Sequence, residues 1–417
     1  MSSYKQIDKC RVCGNKNLRT VLNLGSMFLT GIFPLPGEMV ESSPLELVKC
    51  FPENEENEIC GLVQLRHTYD LNTLYGDTYG YRSGLNASMV KHLQGIVKEI
   101  EERVILKDND LVVDIASNDG VLLGAYKNNN LQLVGIDPSV KKFGEFYKPQ
   151  ISKFAEFFSS GIIKKNFSQK AKIITSIAMF YDLEDPMKFV SEVKEVLAED
   201  GIWVLEQSYL PLMISQNSYD TICHEHLEYY ALRQINWIVN KNGLKIIDVS
   251  FNRANGGSFR VSVVHRNSEY NVDEQKTSSL LDKEKQDGFN EWKIYENFAN
   301  ESNKRREELV GFLQKLKNEG KTIFGYGAST KGNVVLQFCN LSPALLSYIA
   351  EVNSYKFGRT TPGTNIPIIS EAEAKKMRPD YFLVLPWHFK DNIIERESEY
   401  LQSGGHLIFP LPKIEVV

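Results

Sequence analysis

LVVDIASNDGVLL at Leu111–Leu123, followed by LQLVGIDPS at Leu131–Ser139, decides the fold. An apolar run, a small-residue loop, a helical stretch and a second apolar run ending in an acid read as strand, loop, helix, strand. Such a loop lets backbone approach a nucleoside cofactor, and the carboxylate closing the second strand, Asp137, is placed to accept from ribose hydroxyls. The charge of the loop separates two chemistries. A pyrophosphate loop takes G-x-G-x-x-G and no nearby anion, whereas here Ala116 stands where the first Gly is expected and Asp119 precedes Gly120. Those departures disfavour a nicotinamide dinucleotide. They suit S-adenosylmethionine, whose sulfonium and amino group are both cationic and can be held by acids and carbonyls. The cofactor-binding set is then Asp114, Ala116, Ser117, Asn118, Asp119, Gly120, Asp137 and Pro138. The competing reading is an ordinary buried strand and turn, because short glycine loops are common.

Working outward, GYRSGLNASMVKHLQGIVKEIEERV leads into the first strand from residue 79 onward with Leu85, Met89, Leu93 and Val97 at spacings of four, which predicts a helix over 79–103. After Asp137, the apolar runs AKIITSIAMF (Ala171–Phe180) and GIWVLEQSY (Gly201–Tyr209) flank the helical DPMKFVSEVKEVLAEDG. GLKIIDVSFN and GGSFRVSVVHR follow with strand character and end near Arg266. This alternation predicts a parallel, doubly wound sheet. Residues Glu274 to Gly320 are highly charged, with Leu280, Trp292, Tyr295, Phe298, Leu309 and Leu313 interspersed, and read as helices bridging to a further domain.

That domain opens with KTIFGYGASTKGNVVLQF, again strand, glycine loop and helix, but with a basic loop. Ser329, Thr330 and Lys331 would place hydroxyls, amides and an ammonium at a helix N-terminus, a favourable setting for phosphate. The Walker spacing is absent, so no ATPase is read. EVNSYKFGRTTPGT adds Lys356 and Arg359, and the strand YFLVLPW runs to His388. A solvated turn lysine is the plainer reading of Lys331. Two loops of opposite charge nonetheless point to two ligands, a cationic donor and a phosphorylated acceptor.

The chain has 417 residues, 42% of them hydrophobic, enough for two or three domains. A net charge of −5 and an isoelectric point near 5.9 argue against a nucleic-acid partner. No apolar run approaches the roughly 18 residues of a membrane span, and MSSYKQIDKC has no signal-like core, so the expected compartment is the cytoplasm. Cys10 and Cys13 form C-x-x-C, and Cys50 and Cys60 lie about forty residues on, a set that suits a closed, structural Zn2+ site in a stretch with little regular pattern. Nine residues separate Cys50 from Cys60, wider than is usual, so four free thiols remain the alternative. Cys223 and Cys339 fall outside that set.

SYDTICHEHLEYYAL concentrates Cys223, His224, Glu225, His226, Tyr229 and Tyr230 just beyond a strand end. His224 and His226 are two apart and would diverge by about 200° on a helix, so this is no HExxH zinc site, whereas on an extended loop they would share a face. A neutral His can take a proton near pH 7 and a neighbouring carboxylate can fix its tautomer. Surface decoration is the bland alternative, weakened by the position beyond a carboxyl strand end, where doubly wound sheets bind ligands.

Five motifs together, namely the four cysteines, YGYRSGLN (Tyr79–Asn86), DIASNDG with GIDPS, ICHEHLEYY and GYGASTKGN, give the chain its family resemblance. It resembles the S-adenosylmethionine-dependent C-methyltransferases of nucleotide-linked 4-keto deoxysugars, over essentially its whole length. The resemblance implies an α/β protein of three parts: a zinc-binding N-terminal domain (1–74), a central doubly wound methyltransferase sheet (75–285) and a C-terminal Rossmann-like α/β domain (286–417) that helps hold a dTDP-sugar. It implies a monomer or weak oligomer. It also implies His226 as general base, Glu225 beside it, and Tyr79 close to donor and acceptor. Cys223 stands where the family pattern has Tyr before His-Glu-His, and Ala116 stands for the more usual Gly.

The chemistry fits these residues. A carbon next to a ketone, C3 of a 4-keto sugar, carries a proton acidic enough for a positioned base, and the enolate then attacks the methyl group in line. His226 would take the proton and His224 or Tyr229 would donate to the enolate oxygen. Asp137 would bind the ribose, Asp119 the methionine portion, and Lys331 with Arg359 the diphosphate. The competing functions are an O- or N-methyltransferase on a nucleotide sugar, a nicotinamide-dependent epimerase or reductase, and a non-catalytic zinc-bearing sugar-nucleotide binding protein.

Overall fold

A computed structural model describes residues 4–53, 58–70, 74 and 80–417. Tyr79 therefore lies outside the described residues. The N-terminal stretch is more regular than its composition suggests. Leu18–Phe28 (β1), Ser42–Cys50 (β2) and Val63–Leu65 (β3) form antiparallel neighbours in one sheet. Register shifts between Thr20 and Leu22 and between Asn23 and Ser26 break the two-residue alternation, which is why the pattern is hard to see in the sequence.

The expected strand pair is present as Leu111–Ile115 (β4), buried throughout, and Gln132–Ile136 (β5). With Ser152–Phe154 (β6), Ala171–Ile177 (β7), Leu197–Ser208 (β8), Leu244–Asn252 (β10) and Ser258–His265 (β11) they make a seven-stranded sheet in the order β10-β11-β8-β7-β4-β5-β6. The five strands from β4 to β8 pair in parallel, and β11 runs antiparallel between β8 and β10. Strand β4 sits centrally, so LVVDI is apolar on both faces, and each fully buried Val or Leu there stabilises the sheet by about 1.5–3 kcal/mol.

The helix leading into β4 spans Ala87–Arg103 and starts later than the periodicity predicts. Asn86 caps it by accepting from the backbone N–H of Ser88 and Met89, leaving Leu85 outside and 64% exposed. The short strand Glu228–Tyr229 (β9) pairs with β3 of the N-terminal sheet, not with the central one, and Tyr4–Gln6 and His67–Tyr69 pair as a separate two-stranded sheet.

Helices Glu274–Gln286 and Trp292–Asn318 form the expected bridge. Beyond them Ile323–Tyr326 (β12), Ile349–Glu351 (β13), Ile368–Ser370 (β14), Tyr381–Val384 (β15), His406–Phe409 (β16) and Glu415–Val416 (β17) order as β14-β13-β12-β15-β16-β17, with the first five parallel. The cores are shared across regions. One apolar cluster joins Leu22 and Leu47, Cys223 and Tyr229, and the C-terminal Val335 and Leu383, while another joins Cys10, Cys50 and Cys60 to the central Trp203 and Ile235. No helix among the described residues is long and apolar enough to cross a membrane.

Candidate active site

The carboxyl ends of β4, β5 and β7 open on a cavity of about 420 Å³, lined among others by Asp114, Ala116, Ser117, Asn118, Asp119, Asp137 and Pro138. The size is that of a small-molecule cleft. Its floor is strained: Ala116 (φ 58°), Asn118 (φ 50°) and Ala178 (φ 55°) all adopt the left-handed region. Asp137 folds back on the loop, accepting from the backbone N–H of Asn118 (2.8 Å) and Ser139 (2.6 Å). An ionised carboxylate has about four lone-pair sites, so two acceptor positions remain for ribose hydroxyls. Asp119 accepts from the N–H of Gly84 at 2.9 Å through one oxygen, and its other oxygen is buried with no hydrogen-bond partner. That orphaned oxygen fits the amino group of a donor's methionine portion. Gly120 (φ 75°) does not line the cavity; a Cβ there would press into the Tyr147 ring, whose hydroxyl donates to the carbonyl of Asn118. Asp114 lies beneath, held by the Thr175 hydroxyl, and burial pushes its carboxyl up to about 7.

The second constellation forms where three parts of the chain meet. His226 is partly exposed and packs its ring on Tyr181 at 4.4 Å between centroids. Its Nδ1 lies 3.0 Å from the carbonyl oxygen of Thr221, which only accepts, so Nδ1 carries the proton and Nε2 keeps a free lone pair. Burial first, and the Lys331 ammonium second, push its pKa down to about 4, so the ring is neutral at pH 7. Beside it one oxygen of Glu225 is buried without a partner, burial raises its pKa, and a Cβ on Gly31 would press into its carboxylate. The same Gly31 position lies 3.8 Å from the Thr330 hydroxyl, so the N-terminal and C-terminal parts converge here.

Lys331 donates to the carbonyl of Asn255 at 3.0 Å, in the hairpin joining β10 to β11, and its charge also reaches His388 and Asp220. His388 is pushed down to about 3, mainly by burial, and its Nδ1 is buried without a partner. Asp220 accepts from the Trp387 indole N–H at 2.9 Å. The other residues assigned to the acceptor are differently placed. Ser329 caps its own helix, accepting from the N–H of Gly332 at 3.0 Å. Lys356 donates to the carbonyl of Ala328 and lies over the Phe33 ring, and Arg359 donates to the carbonyls of Phe33 and Tyr355. Both cations are thus engaged with backbone carbonyls, Lys356 with one in the glycine loop that leads to Lys331.

One expectation about the HEH motif fails. His224 and His226 do not share a face, because a turn closes over them, with the N–H of His226 donating to the carbonyl of Cys223. His224 is fully buried, its ring edge-on to Tyr69 at 4.8 Å and its Nε2 3.4 Å from the Ser43 carbonyl oxygen. Tyr229 is also buried, with its hydroxyl 3.5 Å from the Thr221 carbonyl oxygen.

The four cysteines do converge. The sulfurs of Cys10, Cys13, Cys50 and Cys60 lie within 4.8 Å of one another, with Cys10–Cys60 and Cys13–Cys50 each at 3.5 Å. Tetrahedral zinc with bonds of about 2.3 Å requires sulfurs about 3.8 Å apart, so the donor set fits that ion. The Asn15 side-chain N–H also points at the Cys50 sulfur (3.4 Å).

Sequence reasoning missed Phe157, Phe158 and Met179 in the cavity, Tyr181 against His226, and the Asp220–Trp387 pair that the Lys331 charge reaches. Phe157 and Phe158 follow β6, the third strand of the central sheet in chain order, so the rule that ligands gather at carboxyl strand ends would have found them. Trp387 and Asp220 are 167 residues apart, and no local signal joins them.

Family models match the chain in three consecutive pieces: "Putative zinc binding domain" at residues 10–75, "Methyltransferase domain" at 89–249 and "C-methyltransferase C-terminal domain" at 253–412. The C-methyltransferase NovU of Streptomyces niveus is 30% identical over 420 residues, covering 99% of this chain and 97% of that protein. Among solved structures, an S-adenosylmethionine-dependent methyltransferase from Clostridium acetobutylicum aligns with 42% of this chain and 92% of its own at 15% identity and a TM-score of 0.32. Magnesium protoporphyrin IX methyltransferase from Synechocystis aligns with 46% and 91% at 14% identity and a TM-score of 0.33.

Proposed function

The chain belongs to the C-methyltransferase family, as an S-adenosylmethionine-dependent enzyme with a zinc-binding N-terminal part, and on that premise we propose that it methylates a nucleotide-linked 4-keto deoxysugar. The methylated position in this reading is the carbon next to the ketone, C3, and the nucleotide is dTDP. The product would enter branched deoxysugar synthesis in the cytoplasm, made by a monomer or weak oligomer with domains at 1–74, 75–285 and 286–417.

The observation that carries the reading is the state of His226. Its Nδ1 proton is engaged by Thr221, its ring is neutral at pH 7, and its free Nε2 belongs to a partly exposed residue at the junction of three regions. A neutral, oriented imidazole can take the proton from the carbon next to the ketone. Lys331, close enough to depress His226, would offset the negative charge that then develops on the ketone oxygen. It also opposes protonation of His226 at rest, and the charge of the enolate would offset that opposition once the proton has moved. Glu225 borders the same space and shields it together with Gly31. Asp137 would bind the ribose of the donor and Asp119 its amino group. The donor, when bound, supplies an electrophilic methyl group. The four-cysteine zinc set leaves no open coordination position and serves the fold.

The test is incubation with S-adenosylmethionine and dTDP-4-keto-6-deoxyglucose in H2O and in D2O, followed by mass spectrometry and NMR. Gain of one CH2 on C3, with loss of turnover in a folded His226→Asn variant, is expected. Methylation on oxygen or nitrogen, or near-normal turnover by His226→Asn, would overturn the reading.

A further inference from the structure

The loop bearing His226 runs directly into β9, and β9 is a strand of the N-terminal sheet. Glu228 pairs with Gln64, Tyr229 with Val63, and the N–H of Leu65 donates to the carbonyl of Leu227 at 2.8 Å. The residue next to His226 is therefore stitched to β3. β3 is paired on its other edge with β2, and a single side chain ties it further: Arg11, lying between Cys10 and Cys13 and 3% exposed. Its guanidinium donates to the carbonyls of Leu65 (2.6 Å) and His67 (3.1 Å), to the Gln64 side-chain oxygen (3.2 Å) and to the Thr68 hydroxyl (2.7 Å). Its Nε lies 3.7 Å from a carboxylate oxygen of Glu228, whose side chain is fully buried.

One rigid fork thus touches β3, the segment after it, and β9 at once. A planar guanidinium can hold four acceptors in fixed geometry, which an ammonium cannot. The fork is also tied to the cysteine cluster through its own backbone, since the Arg11 N–H donates to the same Gln64 oxygen.

We propose that Arg11 is a positioning residue for His226: it locks β3, β3 carries β9, and β9 sets where the imidazole stands relative to the substrate. This rests on the reading of His226 as the base. A misplacement of about 1 Å at a reacting group can cost on the order of a hundredfold in rate, so even a small shift of β9 would be felt.

Removing Arg11 alone would leave Glu228 buried without its counter-charge and could unfold the protein. The test therefore uses Arg11→Met combined with Glu228→Gln, and separately Arg11→Lys, both in zinc-loaded full-length protein. With 15N-histidine labelling, the His226 ring signal is assigned from its absence in His226→Asn among the seven histidines. The expected result is a shifted or broadened His226 signal, zinc content and donor Kd within about twofold of wild type, and kcat lowered at least about tenfold with sugar KM little changed. A shifted ring with unchanged kcat would support Arg11 as the holder of the loop and overturn the base reading instead. An unshifted His226 signal in both variants, with wild-type kcat, would overturn the proposal.

Discussion

Ala116 shows how a single residue records the demands of the loop after β4. Its φ of 58° places an alanine where glycine is at ease, and left-handed backbone costs about 1–2 kcal/mol for a residue with a Cβ. Ala116→Gly relieves that strain but loosens the unfolded chain by a smaller amount, so a net stabilisation of up to about 1 kcal/mol is expected, read as a raised denaturation midpoint. A lowered midpoint would show that the methyl group packs usefully. Asp114 gives a pH signature at the same scale. Its carboxyl is raised from 3.8 to about 7 by burial, so the folded state holds a proton that the unfolded state has released. Its contribution to stability is full below pH 3.8 and is lost as pH rises towards 7, at no more than about 1.4 kcal/mol per pH unit. His224 and His226 are pushed down to about 4 and act with the opposite sign, losing stability as pH falls below 6.5. The Asp114→Asn variant isolates the first effect: the difference in unfolding free energy between variant and wild type should grow in the variant's favour from pH 4 to 7. A flat difference would mean that Asp114 titrates normally.

At the scale of elements, the donor strands and the C-terminal α/β alternation were legible because their signals are local. Apolar runs, glycine loops and terminal acids stand next to one another in the chain, and each strand buried on both faces announces itself. The N-terminal strands were not, since bulges cut their alternation. The HEH loop was legible as chemistry and not as geometry, because a turn at His224 sends one imidazole into the N-terminal core and leaves the other facing the junction. Gly31 belongs to this scale too. Gly31→Ala would drive a methyl group into the Glu225 carboxylate and oblige it to swing, so kcat is expected to fall about tenfold while donor binding by calorimetry stays unchanged. Wild-type turnover in this variant would exclude Glu225 as part of the site.

Across the whole molecule, the cysteine cluster, the His226 loop and the C-terminal sheet share cores, so the three regions should not melt independently. Chelation of zinc is expected to lower a single calorimetric transition and leave it single, with the His226 loop losing amide protection together with β3. A separate low-temperature transition confined to the N-terminal part would contradict this coupling.

That Asp114, Ala116, Ser117, Asn118, Asp119, Asp137 and Pro138 line one cavity was legible from residues alone, because strand, loop and acid span Asp114 to Pro138 and local patterning dictates their geometry. The same holds for the four cysteines, whose chemistry selects the ion before any fold is known. The junction around His226 is of another kind. Gly31, Glu225 and Thr330 come from separate parts of the chain, and which of the two histidines lies beside them depends on β9 joining the N-terminal sheet. That pairing is a long-range contact whose free energy comes from burying both partners together, and no pattern within either segment encodes it.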